Sequence, residues 1–67
     1  MKYYVNTRAQ DNGDHEVHNE NCTRLPKEGN QKFLGEFSNC REAVREAKKQ
    51  YPTANGCYYC SNSCHTS

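Results

Sequence analysis

Gly56-Cys57-Tyr58-Tyr59-Cys60 carries two cysteines at C-x2-C spacing. Two residues between thiolates let a tight turn bring both sulfurs to about 2.3 Å from one ion. A tetrahedral site then needs two more ligands, and His18-Asn19-Glu20-Asn21-Cys22 offers them at H-x3-C spacing. The economical reading is one zinc(II) held by His18, Cys22, Cys57 and Cys60. A redox C-x2-C normally opens a long helix after a strand, whereas here only seven residues follow Cys60.

The composition explains why such a site is needed. The chain has 67 residues, 33% of them hydrophobic, and no Trp. Ordering costs about 1.5 kcal/mol per residue, and a single core of this size leaves only ~3–5 kcal/mol of net stability. A structural zinc, with an apparent binding free energy of ~10–16 kcal/mol in small fingers, is large enough to decide the balance. Disulfides are the other device of small domains. The five cysteines are an odd number, and Met1-Lys2-Tyr3-Tyr4-Val5-Asn6 has no apolar signal-peptide core, so thiolates on a metal in a reducing cytoplasm are expected instead. No stretch reaches transmembrane length, and a formal net charge of +1 gives no reason for a membrane or nucleic-acid partner from net electrostatics alone. A monomeric single domain over residues 1–67 is expected.

The fold class follows from periodicity: α+β, with an antiparallel sheet of about three short strands packed on one helix. Lys2 to Thr7 reads as a strand with Tyr3 and Val5 on one face and Tyr4 on the other. Asp11-Asn12-Gly13-Asp14 is a turn cluster, making a hairpin whose second arm, His15-Glu16-Val17-His18, delivers His18 just before Cys22. Alternation puts His15 on the face opposite His18. Thr23 to Lys32 is a loop anchored by Leu25. Phe33-Leu34-Gly35-Glu36-Phe37 is a third strand whose glycine marks a bulge or a close backbone approach. The helix runs over about 39–51, capped by Ser38 or Asn39 and stopped by Pro52, with Cys40, Ala43, Val44, Ala47 and Tyr51 on its apolar face. Ala54-Asn55-Gly56 is a tight turn into the knuckle. Gly56 fits there because backbone N–H groups must turn toward the sulfurs without a Cβ in the way.

Cys64 and His65 compete with His18 for the fourth ligand position, since both lie within reach of an ion held by Cys57 and Cys60. A two-zinc site using every Cys and His would require Cys40. Its place on the apolar helix face marks it instead as a free, buried small hydrophobe. Tyr3-Tyr4 and Tyr58-Tyr59 are either base-stacking platforms or covers over a small core. The outer helix face, with Arg41, Glu42, Arg45, Glu46, Lys48 and Lys49, is a solvated surface or a macromolecular contact. No Ser/His/Asp triad, phosphate loop or carboxylate pair can be proposed from the spacing.

His18-x3-Cys22, then Leu34-Gly35-x-Phe37-Ser38-x-Cys40-x2-Ala43, then Gly56-Cys57-x2-Cys60 resembles the small zinc-binding module of the Ada-type alkylation-repair proteins, over about residues 15–60. The resemblance implies a β-sheet with one packed helix and a zinc held by two knuckles, with ligation carried over to His18, Cys22, Cys57 and Cys60. Ada-type modules have four cysteine ligands, one of which accepts a methyl group from a DNA phosphotriester. His18 stands here at the first of those positions.

The expected function is that of a non-enzymatic binding module for protein or nucleic acid, built around a structural zinc, because a closed four-ligand site leaves no open coordination position. The alternatives are a zinc-thiolate alkyl acceptor acting through Cys22, Cys57 or Cys60, and metal buffering with Cys64 and His65 as extra ligands.

Overall fold

The computed structural model describes residues 1–66. Four strands, β1 (Lys2–Asn6), β2 (His15–Asn19), β3 (Gln31–Glu36) and β4 (Ala54–Gly56), form one mixed sheet in the order β3-β1-β2-β4, with a single helix α1 (Cys40–Ala47). The α+β class holds, with one strand more than the periodicity predicts.

The β1–β2 hairpin forms where it is expected. Asp14 N–H donates to Asn12 Oδ1, and Gly13 takes φ +92°. Antiparallel pairing sets Tyr3 opposite Asn19, Tyr4 opposite His18 and Val5 opposite Val17. Tyr3, Val5 and Val17 are thereby buried on one face, where Cys40, Ala43 and Ala47 of α1 cover them together with Ala54. Tyr4 lies on the other face, its ring 5.4 Å from Phe33. Burial of these few side chains, at about 25 cal/mol per Å² of apolar surface, is the main favourable contribution of the polypeptide itself.

Gly35 does mark a bulge. The β1–β3 register slips between Tyr3 and Tyr4, which pair with Gly35 and Phe33, and Gly35 sits at φ +132°, a conformation only glycine adopts without strain. Helix α1 starts at the predicted cap, with Glu42 N–H donating to Asn39 Oδ1 at 3.1 Å. It ends at Ala47, well before Pro52. Lys49 and Gln50 bond back to Glu46 and Ala47 in tighter i→i−3 turns, so the helix is already unwinding when the proline arrives.

The main departure is β4. Ala54-Asn55-Gly56 has no β-branched or aromatic residue and reads as a turn, yet it is extended and fully buried. It pairs parallel to β2, with His15 opposite Ala54, Glu16 opposite Asn55 and Val17 opposite Gly56. Asn55 is held by its side chain: Nδ2 donates to Asp14 Oδ2 and Oδ1 accepts from Thr66 N–H, tying hairpin, strand and tail together. Gly56 is needed for a different reason from the expected one. A Cβ there would stand 2.8 Å from both Ser61 O and Cys64 Cβ, so its absence lets the tail cross the strand.

Cys40 and Cys64 form a disulfide with Cα atoms 6.3 Å apart. Cys40 is buried in the core as expected, but it is not a free thiol, and Cys64 is not available as a ligand. The covalent bond joins the first turn of α1 to the 3-10 turn Asn62–Cys64 beyond the knuckle.

Candidate metal centre

Parallel pairing of β2 and β4 makes both strands run out at the same end of the sheet. Cys57 N–H donates to Val17 O at 3.0 Å, continuing the ladder and bringing Cys57 beside His18. A turn closed by Cys22 N–H to Asn19 O returns Cys22 toward the end of β2, and a turn closed by Ser61 N–H to Cys57 O does the same for Cys60 after β4. One ligand atom from each of His18, Cys22, Cys57 and Cys60 then lies within 4.8 Å of all the others, a cluster that could hold a metal ion.

The donor set and its spacing fit a tetrahedral ion. Metal–sulfur bonds of about 2.3 Å put neighbouring sulfurs about 3.8 Å apart; Cys22 Sγ and Cys57 Sγ are 3.9 Å apart, and Cys60 Sγ is 4.0 Å from His18 Nδ1. Backbone donors converge on all three sulfurs: Arg24 N–H on Cys22 at 3.3 Å, Tyr59 N–H on Cys57 at 3.4 Å and Asn19 N–H on Cys60 at 3.4 Å. Such donors have their greatest effect on thiolates, whose charge they stabilise. On the far side of the imidazole, buried Nε2 of His18 has no hydrogen-bond partner among the described residues and lies 3.6 Å from Glu16 Oε1. With Nδ1 on the sulfur side, a metal bound there would leave the ring proton on Nε2, on the side where the Glu16 carboxylate lies.

Burial opposes charge in this cluster unless a cation is present. It pushes the Cys22 thiol up to about 12, an effect the nearby Cys60 and Cys57 reinforce, and it raises Cys57 as well. His18 is held below its ordinary value by burial, against the pull of Glu16. The depressed imidazole adds stability that is full above its unfolded value of about 6.5 and is lost as the pH falls through the folded value. The raised thiols add stability that is full below about 8.5 and is lost as the pH rises toward 12. The residual folded fraction of chelator-treated protein is therefore expected to peak between about pH 6.5 and 8.5. Metal-loaded protein should keep its structure on the alkaline side and lose it only in acid, as protons displace the metal. Far-UV ellipticity at pH 5, 7.5 and 10, with and without chelator, measures this; an alkaline loss that persists with metal bound would contradict it.

The tail residues lie elsewhere. Cys64 is bonded to Cys40, so the reading that recruits it as a ligand is corrected; His65 lies outside the four-residue cluster, its Nδ1 3.0 Å from Gly56 O and its ring edge-on to Tyr58. His15 faces away, its ring 4.3 Å from Tyr51 and its Nδ1 3.0 Å from Asn6 O. Tyr58 and Tyr59 are exposed around the knuckle, and the Arg24 guanidinium lies 4.0 Å from the Tyr59 ring centroid. Sequence reasoning missed Ser61, which is buried with its Oγ 3.7 Å from Cys60 Sγ, and Asn55; a lone Ser or Asn next to a knuckle carries no periodic signal. No helix among the described residues is long and apolar enough to cross a membrane. Comparison with known proteins finds no matching family model, no matching curated protein and no matching solved structure.

Proposed function

We propose that His18, Cys22, Cys57 and Cys60 bind one Zn(II) as a structural ion, and that the domain so closed is an interaction module. The observation that carries this reading is the convergence of four ligand atoms within 4.8 Å, with a backbone N–H on each sulfur. Three thiolates and an imidazole are a closed zinc donor set, while Ca²⁺ and Mg²⁺ take oxygen ligands. Bound zinc would set the orientation of the two knuckles; with all four positions filled by protein it has no place for a substrate.

The contact surfaces available to a partner are the outer face of α1 and the Tyr58/Tyr59/Arg24 corner. Protein and nucleic acid are both compatible with them, and salt separates the two, because phosphate contacts lose affinity steeply between low and moderate salt. The Ada-type relationship rests on the motif spacing. Its alkyl-acceptor chemistry would fall to Cys22 or Cys60, which keep some exposure, rather than to Cys57, which has none. A cytoplasmic location is proposed because three thiols stay reduced most readily there, and a monomeric state is proposed with it; the thiol pool there would act against the Cys40–Cys64 bond.

Native mass spectrometry of protein purified without added metal tests the central reading. One zinc per chain is expected, lost in His18→Ala and retained in His65→Ala. Zinc retained without His18 would refute the ligand set. Methylated cysteine after incubation with methylated DNA would move the assignment to the alkyl acceptor.

A further inference from the structure

The Cys40–Cys64 disulfide borders a surface groove. An open groove of about 340 Å³ runs between α1 and the 3-10 turn, lined by Arg41, Val44, Arg45, Lys48, Ser63 and Cys64. A second depression borders the same bond, where Asn39 and Cys40 join Arg41, Ser63 and Cys64. The groove wall thus holds three cations and a sulfur, with no carboxylate. Spacing of i, i+4 and i+7 puts Arg41, Arg45 and Lys48 along one side of the helix. The acids of α1 are engaged elsewhere: Glu42 accepts from Ser38 Oγ at 3.0 Å, and Glu46 pairs with Lys49 at 3.0 Å. No ion pair to Arg41, Arg45 or Lys48 is formed among the described residues.

We propose that this groove is a thiol–disulfide exchange site for small thiols that carry carboxylates, with Cys64 as the sulfur attacked. Cys64 lines both depressions and is half-buried, whereas Cys40 lies against the core. An incoming thiolate bonds to Cys64 Sγ; the Cys40–Cys64 bond breaks, and its electron pair leaves on Cys40 Sγ. Cys40 is the first residue of α1, where the helix dipole favours a thiolate leaving group. A second small thiolate attacks the mixed disulfide and departs as the small-molecule disulfide, leaving Cys64 as a thiolate. The protein bond gains two electrons and two small thiols are oxidised. The cations gather the carboxylates of the reagent beside the sulfur and raise its local concentration. This inference is independent of which metal the Cys/His cluster binds.

The test uses the intact oxidised protein with glutathione, and with cysteamine as a cationic thiol, at equal thiolate concentrations and low salt. Glutathione is expected to open Cys40–Cys64 about tenfold faster, a local-concentration effect of the usual size for a charged cleft. Its first adduct should map to Cys64, and its advantage should vanish in the Arg41→Gln/Arg45→Gln/Lys48→Gln variant, whose changes are all on the exposed helix face. Equal rates for the two thiols, an advantage retained by the variant, or a first adduct on any other cysteine would each overturn the proposal.

Discussion

Cys57→Ser is expected to abolish the cooperative unfolding transition at 25 °C, and a strong chelator is expected to do the same to the unaltered protein. The buried apolar cluster contains two valines, one tyrosine and three alanines besides cysteine, so the polypeptide alone falls short even of the ~3–5 kcal/mol margin that a full core of this length supplies. A metal contributing ~10–16 kcal/mol of apparent binding exceeds that margin several times over. Cys57 is the decisive position because it is wholly buried and its N–H continues the β2–β4 ladder. Losing its sulfur removes a wholly buried ligand at the point where the knuckle joins the sheet, and leaves a buried hydroxyl in its place. Denaturant titration followed by tyrosine ellipticity, with and without added zinc, measures the effect. A Cys57→Ser protein that unfolds cooperatively within about 1 kcal/mol of the original would leave the metal without a structural role.

Opening the Cys40–Cys64 bond has the second-largest expected effect. Its ends are 24 residues apart, and closing a loop of that length removes about 3.5 kcal/mol of chain entropy from the unfolded state. In a domain this small, such a loss lowers the melting temperature by roughly 15–30 °C. Cys64→Ser and a phosphine-reduced parent should therefore melt together, both zinc-loaded, and reductant should not change the variant further. A free core cysteine at position 40 would lose only packing when truncated, a smaller effect. Zinc-loaded protein whose midpoint does not move on reduction would restore that smaller estimate.

The features legible in the chain were those encoded within one element. H-x3-C and C-x2-C are local spacings, the Asn39 cap and the alanine face of α1 are periodic, and Gly35 and Gly13 announce a bulge and a turn. What escaped depends on contacts between distant segments. Ala54–Gly56 becomes a strand because the edge of β2 offers it backbone partners and Asn55 finds Asp14 and Thr66, none of which its own composition reports. This unforeseen parallel strand is what aligns the two ligand pairs: the spacing identified which residues meet, and β4 explains where. The disulfide escaped for the same reason. An odd cysteine count argues against complete pairing, but it does not forbid one pair alongside three unpaired sulfurs.

That division of the five cysteines has a consequence for the order of assembly. With the proposed ligand set, a chain that meets zinc before oxidant would have three sulfurs occupied, leaving Cys40 and Cys64 to join. A chain oxidised first can couple any two of the five, and every coupling other than Cys40 with Cys64 removes at least one ligand from the metal cluster. The ion would then act as a protecting group, directing oxidation to the one bond compatible with the finished fold.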